Sequence, residues 1–316
     1  MTLRPLQIVG LGMATLDVLL RLQDMPTWEH GTRLSDFSLQ GGGPVGTVMV
    51  AAAKLGARVG FISTAGNDLA AELKMRSFRE VGVDLSHLIY RDIPENQVVI
   101  VHVHAETGER VFSGITRFAN TQIRSEELDR EYITQADYLH LDGYHSAAAM
   151  EAAQWMHAAG KTVVLDGSKT SGPVGGHLRE LVRHVDVLIS GSGFVQGLTG
   201  ETELQAALEA ALDHGPRIVV QTEGADGAYT VTRGRAGVER FHTPAFACSV
   251  VDTTGAGDVF HGAYIVGLLH GWDVRETARF AAAVSAIKCT RLGGRAGIPT
   301  FEETQAFLEK AGALEA

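Results

Sequence analysis

Short runs of β-branched and aliphatic residues alternate along this chain with longer stretches whose apolar positions recur every three to four residues. The apolar run at 6–12 predicts a buried strand, and 44–56 predicts a helix opened by proline and closed by glycine. A strand over 57–66 and a helix over 69–82 follow. Later apolar runs at 138–143, 162–168, 185–191 and 217–224 each precede a helical pattern. Strand and helix repeated in this way predict an α/β fold, with a mostly parallel sheet covered on both faces.

Two segments break the rhythm. Residues 36–40 look like strand material ahead of a triple glycine, and 97–118 reads as a hairpin turning near 105–108. Together they predict lid segments near 13–40 and 93–120, projecting from the strand ends where open α/β sheets bind ligands. Repeats, low-complexity tracts and linker-like stretches are absent, so the expectation is a single domain over 1–316 with a β extension.

Composition narrows the function classes. Lys and Arg total 27 against 37 Asp and Glu, a net charge of −10, which disfavours nucleic acid or an anionic membrane as the main partner. Two cysteines, Cys248 and Cys289, are too few for a disulfide framework or a structural zinc site. The apolar N-terminal run contains Asp17 and lacks a signal-peptide cleavage pattern. No stretch approaches the ~20 apolar residues of a membrane span, and the expected location is cytoplasmic.

The chemistry concentrates at 250–263, VVDTTGAGDVFHGA. Small residues there let backbone N–H groups converge, and the helix that follows adds the positive end of its dipole. Gly255, Ala256 and Gly257 thus read as an anion hole, with Asp258 beside it as a carboxylate base. That pairing suits phosphoryl transfer to a hydroxyl.

This stretch resembles the second signature of the ribokinase-like (PfkB-type) carbohydrate kinases. The resemblance extends along the chain through GLGMATLD, GGGPVGTVMVAAAKLG, GNDLAAEL, QTEGADGAY and IKCTRLGGRAGIP. The run from 250 to the last of these looks especially like the sulfofructose kinase branch. The resemblance implies a Rossmann-like three-layer α/β/α core, a small β-sheet lid, ATP as donor, Mg²⁺, and a sugar-like acceptor. By the same resemblance Asp258 matches the catalytic base, and Gly255, Ala256 and Gly257 the anion hole. Thr222, Glu223, Gly224 and Gly227 match the loop that approaches ATP, which Gly255 and Gly257 also face. Asp17, Gly42 and Gly43 match positions that bind the acceptor. Asp252 and Thr253 open the motif, whose neighbourhood in many relatives also holds a monovalent cation such as K⁺.

Four positions depart from the family pattern. Thr47 stands where many relatives have Asn, so acceptor recognition is altered there. Gly191 and Phe194 replace the Asn and Glu usually found near the metal and phosphates, which leaves the Mg²⁺ ligands unassigned. Ala71 replaces a common glycine. A sulfonated acceptor would need cationic partners, for which Arg33, Arg110 and Arg117 are candidates, with Lys169 near phosphate. His102 and His104 share one face of the hairpin, and His140 and His145 lie near another strand end; substrate-facing or solvated roles outweigh a metal site. His261 is expected to pack within its helix. The G-x-G after the first strand lacks a third glycine, having Thr15 there, so a dinucleotide site is rejected.

The expected activity is ATP-dependent phosphorylation of a monosaccharide-like hydroxyl. The rivals are a nucleoside kinase, for which Phe37, Phe112 and Phe118 are candidate stacking residues, and a non-catalytic sugar sensor. Unpaired lid edges suggest a homodimer through the β lid.

Overall fold

In the computed structural model, which describes residues 5–114, 121–234 and 237–315, eight strands form the central sheet. In chain order these are β1 (Ile8–Leu11), β4 (Val59–Ile62), β9 (Tyr138–Leu141), β10 (Thr162–Asp166), β11 (Val187–Gly191), β12 (Ile218–Thr222), β13 (Ala228–Gly234) and β14 (Gly237–Thr243). Their spatial order is β14-β13-β12-β11-β10-β9-β1-β4. All neighbours from β12 to β4 run parallel, and β13 and β14 add an antiparallel edge.

Side chains alternate across this sheet with the strand period of two. Ile8, Val164, Ile189 and Val220 face α1 (Pro44–Lys54), α2 (Leu69–Glu80), α8 (Ala256–Leu269), α9 (Val274–Lys288) and α10 (Phe301–Glu315). Their neighbours Val9, Val163, Leu188 and Val219 face α3 (Arg130–Thr134), α4 (Ser146–Ala158), α5 (Gly176–Val182), α6 (Phe194–Thr199) and α7 (Leu204–Ala211). Both faces are therefore covered, as near-continuous apolar strands require. The expected helices over 44–56 and 69–82 each end two residues early, before the glycine that stops them. The run at 57–66 is broken at Ser63 into β4 and the short β5 (Thr64–Ala65), which pairs with β6 (Ile89–Tyr90).

The strand order reverses between β1 and β9, which opens a crevice at their carboxyl ends. A second sheet stands beside that crevice, ordered β3 (Leu34–Gly42), β2 (Thr15–Leu22), β7 (Val98–His104) and β8 (Arg110–Gly114). The 105–109 connection matches the hairpin turn read from sequence, whereas β2 was visible only as part of a lid segment. Register puts Asp17, Leu19, Gln40, Val101, Val103 and Arg110 on one face, where Leu19, Val101 and Val103 are fully buried. Val18, Leu20, Phe37, Leu39, Ile100 and Val111 share the other face, which is largely exposed.

A buried ion pair fastens this small sheet to the body. Lys74 on α2 lies 2.5 Å from Glu95 and also donates to Thr64 O and Gln97 Oε1. Glu95 in turn accepts from the amides of Gly66 and Gln97. With its hydrogen bonds satisfied on both sides, such a pair fixes position, and losing one partner would strand a buried charge. No helix among the described residues is long and apolar enough to cross a membrane. Arg117 and Phe118 lie outside the described residues.

Candidate active site

The turn into α8 is built around glycine. Gly255 is its N-cap at φ 71°, in the left-handed region, and a Cβ there would meet Gly294 Cα at 3.0 Å. Gly257 sits in the exposed first turn, where a Cβ would find nothing within 4 Å. It lies at the helix start, where the dipole favours an anion. The Ala256 amide is already donated to Thr253 O at 3.2 Å, so Ala256 closes the turn.

Asp258 follows in the same first turn, half-buried. Burial and the neighbouring Asp166 carboxylate raise its pKa well above the ordinary value, against the opposing pull of Arg110 and Arg295. Asp166 ends β10 and is itself buried, accepting from the Ser168 amide at 2.6 Å. Ser168, at φ 52°, is the one non-glycine in the left-handed region among the described residues, a strained position of the kind that collects at functional sites. Asp142, just beyond β9, accepts from the amides of Met13 at 2.9 Å and Tyr144 at 2.9 Å. It thereby bridges the two strand ends of the crevice, and burial pushes its carboxyl up to about 6. Asp142 was missed in the sequence, although a carboxylate ending the LHLD strand was a legible signal.

On the acceptor side, Asp17 is buried on the inner lid face and accepts from Thr15 Oγ1 at 2.5 Å. A Cβ on Gly42 would fall 2.0 Å from the Asp17 carboxylate, so glycine there makes room for it. Gly43 adopts φ 86° at the start of α1, with Ala14 Cα only 2.7 Å from a would-be Cβ. Thr47, one turn into α1, is buried and accepts from Arg295 Nε at 3.3 Å. Arg295 further donates to Ser77 Oγ at 2.7 Å and Gly42 O at 2.6 Å, and lies over the Phe78 ring at 4.4 Å. Burial lowers its pKa to about 9, while Asp17 and Asp258 favour the charged form. Arg295 had no assigned role in the sequence; its partners lie some 220 to 250 positions away.

On the other side, β12 ends at Thr222, and Glu223, Gly224 and Gly227 form a tight turn closed by Glu223 N to Gly227 O at 2.7 Å. A Cβ on Gly227 would strike Thr243 O at 2.1 Å. The Glu223 carboxylate accepts from Ser192 Oγ and Gln221 Nε2, each at 2.6 Å. Phe194 is buried in the core, and a Cβ on Gly191 would sit 3.1 Å from the Lys169 backbone, which crosses over it. Neither position offers an oxygen ligand side chain. Lys169 is exposed on that loop.

The lid reaches the helix turn through Arg110, whose Nη1 donates to Thr253 Oγ1 at 2.6 Å, while Thr253 donates to Gly108 O at 3.3 Å. Arg33 is exposed on its loop. The histidines have structural partners. His145 accepts from Ile123 N, His140 meets His261 at 3.3 Å in the core, and His104 contacts Thr107. Among the described residues no group of three potential ligands could hold a metal ion.

An acidic residue thus stands at a glycine-rich helix start beside the small sheet. The sequence pattern of the pfkB family carbohydrate kinases matches residues 8–301, and the chain belongs to that family. It is similar to a ribokinase of Haemophilus influenzae, 30% identical over 87% of this chain and 90% of the relative. In fold it matches a putative ribokinase from Agrobacterium tumefaciens, with TM-score 0.86, 23% identity, and 98% and 99% of the two chains covered. A putative ribokinase II from E. coli, solved in complex with ATP and Mg²⁺, matches with TM-score 0.82 and 20% identity over 96% and 99%.

The electrostatics generate a pH prediction. Asp166 raises the Asp258 pKa, so Asp166→Asn should move the acidic limb of the kcat/KM profile to lower pH. An acidic limb that stays in place would show that Asp258 does not set it.

Proposed function

We propose that this protein is an ATP-dependent sugar kinase in which Asp258 is the general base. The observation that carries the reading is the Asp258 carboxylate, with raised pKa, in the first turn of a helix whose start is glycine-lined. A base works best with a pKa near the operating pH, and burial beside Asp166 moves Asp258 in that direction.

The acceptor would lie between the inner lid face and α8, held by Asp17, Gly42 and Gly43, with Asp142 at the floor of the crevice. Thr47, tied to Arg295, supports that wall from behind. Asp258 takes the proton from the acceptor hydroxyl as that hydroxyl's oxygen attacks the γ-phosphorus of ATP, and the bond from the γ-phosphorus to the bridging oxygen breaks to release ADP. The amides of Gly255 and Gly257 and the α8 dipole hold charge on the transferred group. The Thr222, Glu223, Gly224 and Gly227 turn supports the nucleotide, and Lys169 faces its phosphates. Arg110 holds the lid to the Thr253 turn, which excludes water from the reacting groups.

A hard divalent cation suits this site, because the repulsion between Asp166 and Asp258 calls for positive charge and carboxylate oxygen is its preferred ligand. Asp166 would hold Mg²⁺ together with water and the ATP phosphates. Bound there, Mg²⁺ would neutralise charge on those phosphates.

A coupled ADP-release assay with Mg-ATP across ketoses, aldoses, sugar acids, sulfosugars and nucleosides tests the activity. A sugar hit is expected, and Asp258→Asn should lower its kcat by about 10²- to 10⁴-fold with ATP affinity nearly unchanged. Near-wild-type turnover in that variant would remove Asp258 as base.

The exposed lid face of Phe37, Leu39, Ile100 and Val111 supports a homodimer through the lid, in the cytoplasm where ATP is available. Sedimentation at micromolar concentration should give twice the 33.7 kDa chain mass, and Phe37→Lys should halve it. A monomer throughout would exclude this assembly.

A further inference from the structure

Behind the anion-hole turn lies a cation that the kinase reading does not use. Lys288 ends α9, is fully buried, and donates from its ammonium to the backbone carbonyl of Asp252 at 2.8 Å. Asp252, also fully buried, opens the turn. Its carboxylate accepts from the amides of Thr254 at 2.8 Å and Gly293 at 2.7 Å. Burial pushes the Lys288 amine below its ordinary pKa, and the Asp252 carboxylate opposes that push. Opposite charges buried on one turn persist when they compensate each other and their polar atoms are bonded.

The end of α9 grips the turn at both ends. Val251 and Asp252 donate their amides to the carbonyl of Cys289, at 2.9 and 3.2 Å. Ser285, one turn earlier, donates its hydroxyl to Ala256 O at 2.9 Å. The Lys288 ammonium sits between these two attachments. Displacing it would loosen the segment that aims the Gly255 and Gly257 amides.

The monovalent cation implied by family resemblance near Asp252 and Thr253 can be tested against these atoms. An alkali ion needs several oxygens turned toward it. Here both Asp252 carboxylate oxygens accept amide protons, and its carbonyl accepts the ammonium. The Thr253 hydroxyl is engaged by Arg110 and Gly108. A second cation beside Lys288 would also be repelled through a poorly screened interior. With each of these oxygens already engaged and the Lys288 ammonium against them, the turn disfavours an added ion.

We propose that Lys288 is a positioning residue whose ammonium is the built-in cation of the anion-hole turn, so that phosphoryl transfer needs no added alkali ion. The rate arm of the test rests on the kinase reading; the melting arm does not.

The wild-type protein is compared in K⁺, Na⁺ and N-methylglucamine buffers at one ionic strength. Turnover with Mg-ATP and an accepted sugar should agree within about twofold, and the melting midpoints should coincide, since an ion that binds only the folded chain raises its midpoint. A rate several-fold higher in K⁺, or a midpoint raised by K⁺ alone, overturns the proposal. In Lys288→Ala, kcat should fall by about 10²-fold, comparable with losing one anion-hole donor, while KM for ATP moves less. Ammonium, methylammonium or K⁺ should then recover about tenfold of that loss by filling the vacated place. Unchanged kcat, or a loss that none of these cations relieves, also overturns it. Should Lys288→Ala fail to fold, the wild-type comparison decides alone. If no acceptor is phosphorylated, the kinase reading fails, and the melting midpoints still decide whether an alkali ion binds.

Discussion

Asp166 and Asp258 stand close enough that the charge of one raises the pKa of the other, and much of the architecture offsets that repulsion. The positive end of α8 lies at Asp258 itself. Arg110 comes from the lid and Arg295 from the loop after α9, and both favour the charged carboxylate. Burial and Asp166 raise the pKa of Asp258, and Arg110 and Arg295, from two separate parts of the chain, oppose that rise.

Those cations also connect the small sheet to the body. Arg295 ties Gly42 of the lid edge to Thr47 of α1 and Ser77 of α2, so the acceptor wall and the body share one guanidinium. Arg110 ties the far lid hairpin to Thr253, two residues before Gly255. Lys74 and Glu95 fasten the start of β7 from below. Leu19, Val101 and Val103 add a small apolar cluster on the inner face of the sheet, against which Leu292 packs.

Much of the core was legible because it is written locally. Short β-branched and aliphatic runs between glycine-bounded helices identified the parallel strands, and the turn near 105–108 identified the lid hairpin. The 250–263 stretch marked the helix turn that carries Asp258. What escaped was long-range. Asp142 gains its meaning only when β9 lies beside β1, and Arg295 only when the C-terminal loop reaches α1 and α2. Lys288 had no assigned role in the sequence, because its partner Asp252 lies 36 positions away. Sequence marked Gly191 and Phe194 as departures; the structure supplies a reason, since Phe194 fills the core and Gly191 makes room for the Lys169 backbone. The helical pattern expected after the run at 217–224 is not found, and the antiparallel hairpin of β13 and β14 follows β12 instead.

The central claim is that Asp258 acts as a base for direct attack by the acceptor, and not as a nucleophile that carries the phosphoryl group. The stereochemical course at phosphorus tests this most directly, using ATP made chiral at the γ-phosphorus with oxygen isotopes and sulfur. Direct in-line transfer predicts inversion of configuration in the sugar product. Retention would require two successive displacements through a phosphorylated enzyme group, and would contradict the account.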